Sequence, residues 1–188
     1  MAKCPSCNTR KGKRKCLIYD TYICSLCCGN IRKEETCSAC VYYQPPKRKY
    51  SEVPAYTPQY MVDNPELESY SNAIEGTLCT LDLENDSQLR DSHAIAILES
   101  LIDIYYYKDD QIQTDKDIVS LGVRRVDDAI KKDLPDFDSE ILVKVLSLLR
   151  FVAQRRTQGH REYMEVIHQY VGLRIDTGMR LLRADVGR

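Results

Sequence analysis

Eight of the nine cysteines lie within the first 40 residues, in the order Cys4-x2-Cys7, Cys16, Cys24-x2-Cys27-Cys28 and Cys37-x2-Cys40. The large apolar side chains of the same stretch are few: Leu17, Ile18, Tyr19, Tyr22, Ile23, Leu26 and Ile31. That is too little surface to bury a core unaided in about 40 residues. The segment must therefore be closed by its sulfurs, either as a disulfide framework or around metal.

The spacing decides between these. Cys-x2-Cys places two thiolates on one tight turn, close enough to share a tetrahedral ion, and a second pair from elsewhere completes the site. Three such pairs are present, and Cys16 and Cys28 bring the ligands to eight, the number that fills two Cys4 sites. Disulfides belong to oxidising compartments. The N-terminus, Met1-Ala2-Lys3-Cys4-Pro5, has no apolar run of a signal peptide, and no stretch reaches the roughly 18 apolar residues of a membrane span. The expectation is an intracellular protein, cytoplasmic or, in a nucleated cell, nuclear, with no membrane contact. Two structural Zn2+ ions follow, with an iron–sulfur cluster as the alternative. Metal then supplies the folding free energy, so chelation is predicted to unfold this block.

The spacing leaves open which cysteines share an ion. An interleaved arrangement gives Cys4, Cys7, Cys24 and Cys27 one ion and Cys16, Cys28, Cys37 and Cys40 the other. In this it resembles the cross-brace zinc fingers of the B-box, MYND and HIT types, where a short run such as Tyr22-Ile23-Cys24-Ser25-Leu26-Cys27-Cys28 links two sites. The resemblance implies two zincs, a loop-rich module and a role in binding other macromolecules. The doublet Cys27-Cys28-Gly29 is also similar to the CCG motif of heterodisulfide-reductase-type subunits, which hold iron–sulfur clusters. In that family the following cysteines stand several tens of residues away, whereas here only Asn30 to Thr36 precede Cys37.

The formal net charge of −1 conceals two opposite halves. Residues 1–50 carry 11 Lys or Arg against three acids, and residues 51–188 carry 16 against 25. Two Cys4 zinc sites would lower the first balance from +8 to about +4, so a basic surface survives metal binding. Its residues are Arg10, Lys11, Lys13, Arg14 and Lys15, then Arg32 and Lys33, then Lys47, Arg48 and Lys49. Phosphate is the natural counterpart of such a patch. Tyr42, Tyr43, Tyr50, Tyr56 and Tyr60 interleave with the last cluster and offer rings for stacking on bases. Nucleic acid is the first expected partner and a protein the second. Pro45-Pro46-Lys47-Arg48-Lys49 also reads as a nuclear import signal.

The chain divides into a cysteine-rich module at 1–42, a Pro/Tyr/Lys-rich linker or packed arm at 43–62, and a helical domain at 63–188. Apolar residues in the last recur at helical spacing. Ala94, Leu98, Leu101 and Tyr105 mark a helix of about 88–107. Val119, Val123, Val126 and Ile130 mark another, capped by Thr114 or Asp115. Ile141, Val145, Leu148 and Val152 follow Pro135 and a start at Asp138 or Ser139. Met164, Ile167 and Val171 predict a helix from Arg161 to the region of Gly178, and a weaker segment covers Glu66 to Leu81. The expected fold is a small metal-stabilised zinc-finger module followed by an all-α helical bundle of four or five helices. Arg150, Arg155, Arg156, Arg161, Arg174, Arg180 and Arg183 are expected to complement the acidic first half of that bundle, the alternative being that they extend the binding surface of the finger.

Nothing in the sequence assembles a catalytic constellation, and a binding protein rather than an enzyme is expected. His160 and His168, eight apart, are not the His-Glu-x2-His pattern of zinc proteases. Asp109-Asp110, Asp115-x-Asp117 and Asp127-Asp128 read as capping or solvated acids. Cys79, among apolar neighbours, reads as a buried free thiol.

Overall fold

The computed structural model describes residues 3–43, 48–62, 64–109 and 117–182, with Glu34 and Asp117 in backbone only. Two compact units, Met1–Arg48 and Lys49–Arg188, make up the chain.

In the first unit, β1 (Arg14–Cys16) and β2 (Thr21–Ile23) pair antiparallel, with Arg14 opposite Ile23, Lys15 opposite Tyr22 and Cys16 opposite Thr21. The connection closes through Asp20 at φ 47°, a left-handed conformation that Asp adopts more readily than most residues. Alternation along the strands sends Cys16 and Ile23 inward, while Lys15 and Tyr22 face out. Helices α1 (Ser25–Ile31) and α2 (Glu34–Cys37) follow. Cys4, Cys16, Ile23 and Cys24 form the buried centre, with Cys7, Cys27, Cys28 and Ile31 packed around it. Sulfur thus occupies the place that aliphatic side chains take in an ordinary core.

In the second unit, a one-turn 3-10 helix at Tyr50–Glu52 and α3 (Pro58–Val62) lead into the long helices. These are α4 (Pro65–Glu84), α5 (Asp91–Tyr105), α6 (Asp117–Asp133) and α7 (Ser139–Arg156), followed by the shorter α8 (Glu162–Tyr170). Helix α5 packs on α6 and α7, and α4 packs on α6, α7 and α8. The apolar stripes face this core: Val119, Val123, Val126, Ile130, Ala94, Leu98, Leu101, Val145, Leu148, Met164 and Ile167 are all buried. Start signals act as local chemistry dictates. Asn64 accepts from the N–H groups of Glu66 and Leu67 at 3.1 and 3.4 Å, with Pro65 in the first turn, and Asp138 accepts from Glu140 and Ile141 at 2.6 and 3.3 Å. Thr114 and Asp115, the expected caps of α6, lie outside the described residues.

The arm after Lys49 belongs to this unit. Val53 is buried, the Tyr50 hydroxyl donates to Asp103 at 3.0 Å, and the Tyr56 N–H donates to the Lys144 carbonyl at 3.4 Å. Arg150 lies 4.8 Å from the Tyr50 ring centroid, so these linker tyrosines serve packing.

The expectation of an all-α second domain needs one correction. The helix that starts near Arg161 ends at Tyr170 rather than near Gly178. Gly172 stands at φ 81° and its N–H bonds back to the Ile167 carbonyl at 3.0 Å, closing the helix. The chain then forms a hairpin of β3 (Leu173–Asp176) and β4 (Met179–Leu181), with β3 lying along α4. A Cβ at Gly172 would sit 2.5 Å from the Leu181 carbonyl oxygen, so the hairpin closes onto the glycine itself.

Four arginines tie the late elements to the early ones. Arg161 makes a two-pronged contact with Asp82 at 2.9 and 2.8 Å, and Arg174 does the same with Asp133 at 2.9 and 2.6 Å. Arg150 bonds Glu99 at 2.7 Å and Arg180 bonds Asn72 at 2.7 Å. Arg150, Arg161 and Arg174 thus complement acids inside the unit, whereas Arg180 meets the neutral Asn72 and Arg155 and Arg156 are exposed. Arg183 lies outside the described residues.

Candidate metal centre

Cys4 and Cys7 sit on a turn at the start of the chain, and Cys24 and Cys27 on the first turn of α1. The first turn is held by the Asn8 N–H donating to the Cys4 carbonyl at 2.8 Å and the Cys4 N–H donating to the Arg10 carbonyl at 2.7 Å. Cys24 caps α1, its sulfur accepting from the Cys27 N–H at 3.4 Å. The β1–β2 hairpin brings the two turns together, with the Lys13 N–H donating to the Ile23 carbonyl at 2.9 Å. Gly12 makes the close approach possible, because a Cβ there would stand 2.3 Å from the Tyr22 carbonyl oxygen.

The result is a quartet in which the sulfurs of Cys4, Cys7, Cys24 and Cys27 all lie within 4.8 Å of one another. The Cys7 and Cys24 sulfurs are 3.9 Å apart. Four thiolates around a tetrahedral zinc at about 2.3 Å stand about 3.8 Å apart, so the donor set and its spacing fit one metal ion. All four cysteines are free thiols.

The surroundings favour ionised sulfur at one end of the quartet and oppose it at the other. The Thr9 hydroxyl and the Thr9 and Arg10 N–H groups hold the Cys7 thiol down at about 5. At Cys4 burial raises the pKa, but backbone N–H groups of Cys24, Cys7 and Ser6 outweigh it and leave the thiol below its ordinary value. At Cys27 the Ser6 hydroxyl favours the thiolate, yet Cys24, burial, Cys7 and Cys4 together push it up to about 11. Negative charge accumulates poorly in a cluster this tight without a cation at its centre. Ser6 and Thr9 escape notice in the sequence, since only their position in the Cys4–Cys7 turn gives them a role.

The other four cysteines are placed differently. Among the described residues, the quartet is the group of three or more potential ligands that meets these distances, and Cys16, Cys28, Cys37 and Cys40 do not form a second. Cys16 and Cys28 pack against the quartet's core. Cys37 and Cys40 share a turn, the Cys40 N–H donating to the Cys37 carbonyl at 2.8 Å.

The basic residues divide likewise. Lys3, Arg10, Lys11, Lys13, Lys15 and Lys33 are exposed. Arg14 is half-buried, donating to the Cys28 sulfur at 3.8 Å and lying 5.3 Å from the Tyr42 ring centroid. Arg32 and Arg48 are half-buried, Lys49 pairs with Glu52 at 2.9 Å, and Lys47 lies outside the described residues. The exposed cations thus concentrate on the loop and hairpin between the two halves of the quartet.

In the helical unit the two histidines part company, His160 being exposed and His168 buried, while Asp110 and Asp115 lie outside the described residues. His168 is buried with its Nε2 2.7 Å from Asp82, and Cys79 is buried. Asp91 is buried and accepts from the N–H groups of Tyr163 and Met164 at 3.2 and 3.1 Å, at the start of α8. Among the described residues no helix is long and apolar enough to cross a membrane. Neither a protein-family model, nor a curated protein, nor a solved structure matches the chain.

Proposed function

We propose that the first unit is a zinc-stabilised module that binds nucleic acid, and that the chain acts by recognition rather than catalysis. One observation carries the reading: Arg10, Lys11, Lys13 and Lys15 are all exposed on the segment that the quartet pins at both ends. A metal-closed loop presents those charges at low conformational cost, and counterion release on meeting phosphate supplies the affinity. Zinc suits four thiolates in tetrahedral array and carries no redox chemistry of its own. A second zinc held by Cys16, Cys28, Cys37 and Cys40 belongs to the same proposal. It requires the Cys37–Cys40 turn to close onto the Cys16 and Cys28 side of the module.

Exposed Leu17, Ile18, Leu26 and Val41 favour a second reading, a protein-binding adaptor. Salt separates the two. Binding of a labelled oligonucleotide to the metal-loaded full chain is measured by fluorescence anisotropy over a range of salt. If four phosphates are met, log K falls against log salt with a slope of roughly −3 to −4. Absence of binding, or binding insensitive to salt, overturns the nucleic-acid reading.

A further inference from the structure

We infer that the nucleic acid this module takes is single-stranded, held on the outward face of the β1–β2 hairpin; the inference rests on the nucleic-acid reading above. The register of the hairpin sets the face. Lys15 stands directly opposite Tyr22, and both are exposed, Tyr22 at 56%. Their neighbours Arg14, Cys16 and Ile23 turn the other way, half-buried or buried against the sulfur core. Lys13, just before β1, donates its N–H to the Ile23 carbonyl at 2.9 Å and is also exposed, so a second lysine stands at the end of the hairpin.

At the tip, Leu17, Ile18 and Tyr19 are each about half exposed, Tyr19 at 51%. The hairpin therefore carries Lys15 beside the exposed Tyr22 ring on one face, with exposed Lys13 before it and a second ring and two aliphatic side chains at the tip. Lys15 pairs with Asp20 at 3.6 Å in an exposed ion pair, a contact worth little in water. It is available to exchange for a phosphate.

Duplex binding would use this face poorly. A paired duplex offers a protein its phosphates and the polar edges of its bases, and edges are read by matched donors and acceptors. Leu17 and Ile18 supply neither, and their apolar surface would stay wet against a phosphate backbone. An unpaired strand offers phosphates to Lys13 and Lys15 and flat base faces to Tyr22 and Tyr19, covering both kinds of surface at once. Charge complementarity selects a polyanion, and the interleaved rings select one whose bases are free.

The test uses the metal-loaded full chain and probes of about twelve nucleotides: labelled oligothymidylate, oligouridylate, and a mixed-sequence strand free or annealed to its complement. The expected result is at least about tenfold tighter binding of the mixed strand when single than when paired. Tyr22→Ala should weaken single-strand binding by about tenfold with the salt slope unchanged, and Tyr22→Phe should restore it. Lys15→Gln should instead reduce the slope by about 0.7. Tyr19→Ala, beyond the paired strands, repeats the aromatic test should Tyr22→Ala lose its metal. The two homopolymers distinguish DNA from RNA as the source of the strand. Equal binding of single and paired strands, unmoved by both tyrosine substitutions, would overturn the single-strand inference and leave the nucleic-acid reading standing. Failure to bind any probe removes both.

Discussion

Glu75 shows how one buried side chain makes stability depend on pH. It lies 92% buried in α4 and accepts a hydrogen bond from the Tyr163 hydroxyl at 2.7 Å. Burial pushes its carboxyl up from 4.5 to about 7, against the smaller opposing effect of the Tyr163 hydrogen bond. The folded chain therefore holds this proton more tightly than the unfolded chain. The stabilisation is fully present below about pH 4.5 and is lost as pH rises through about 7. Its size is on the order of 3 kcal/mol. Glu75→Gln keeps an acceptor for Tyr163 without the charge, so denaturant unfolding of native chain and variant should diverge by about that amount between pH 4.5 and 7. Parallel stability profiles would refute the assignment. Asp82 works in the opposite sense. Despite full burial, the bonds from Arg161, His168 and the Leu89 N–H hold it well below the usual carboxylate range. Its contribution is present at neutral pH and fades only in strong acid.

At the scale of elements, the end of α8 depends on one backbone conformation. Helical spacing runs through Met164, Ile167 and Val171, and beyond it Leu173, Arg174 and Ile175 carry no decisive helix or strand signal. The chain turns at Gly172 because φ there is 81° and Leu181 closes onto its α-carbon. Gly172→Ala meets both obstacles and should destabilise the helical unit by about 1–2 kcal/mol. A thermal melt of that unit checks this, and an unchanged melting temperature would mean that the hairpin is not closed onto α8. The starts of α4 and α7 needed no such tertiary help. Asn64 and Asp138 stand immediately before apolar periodic runs and cap their own helices, which is why those boundaries are readable from local sequence.

For the molecule as a whole, the two units differ in what holds them together. The helical unit buries a continuous aliphatic core from α4 to α8, enough for the chain from Lys49 to Arg188 to fold independently. The cysteine-rich unit buries Ile23 and three cysteines, Cys4, Cys16 and Cys24, in place of such a core. Chelation should therefore abolish the dispersed amide signals of residues 3–43 while the helical unit keeps its melting transition. Elemental analysis of anaerobically purified protein should find one zinc per chain for the quartet, and two when Cys16, Cys28, Cys37 and Cys40 bind as well. Iron in place of zinc would replace the recognition reading with electron transfer or redox sensing, and an N-terminal unit still ordered without metal would refute the stability argument.

Local chemistry is legible along the chain because it depends on neighbours in sequence. Cys4-x2-Cys7 and Cys24-x2-Cys27 announce two ligand turns, and the stripes through Ala94, Val119 and Ile141 announce helices, since both follow from fixed backbone periods. The interleaved closing of Cys4 and Cys7 with Cys24 and Cys27 could be set out from spacing as one arrangement, but choosing it depended on the hairpin register and the space that Gly12 leaves beside Tyr22. Whether a given arginine is a free charge or a brace was equally hidden: Arg14 lies against Tyr42 and Cys28, and Arg161 reaches Asp82, 79 residues away. Such contacts join residues far apart in the chain, and their distances arise only when every intervening element has packed.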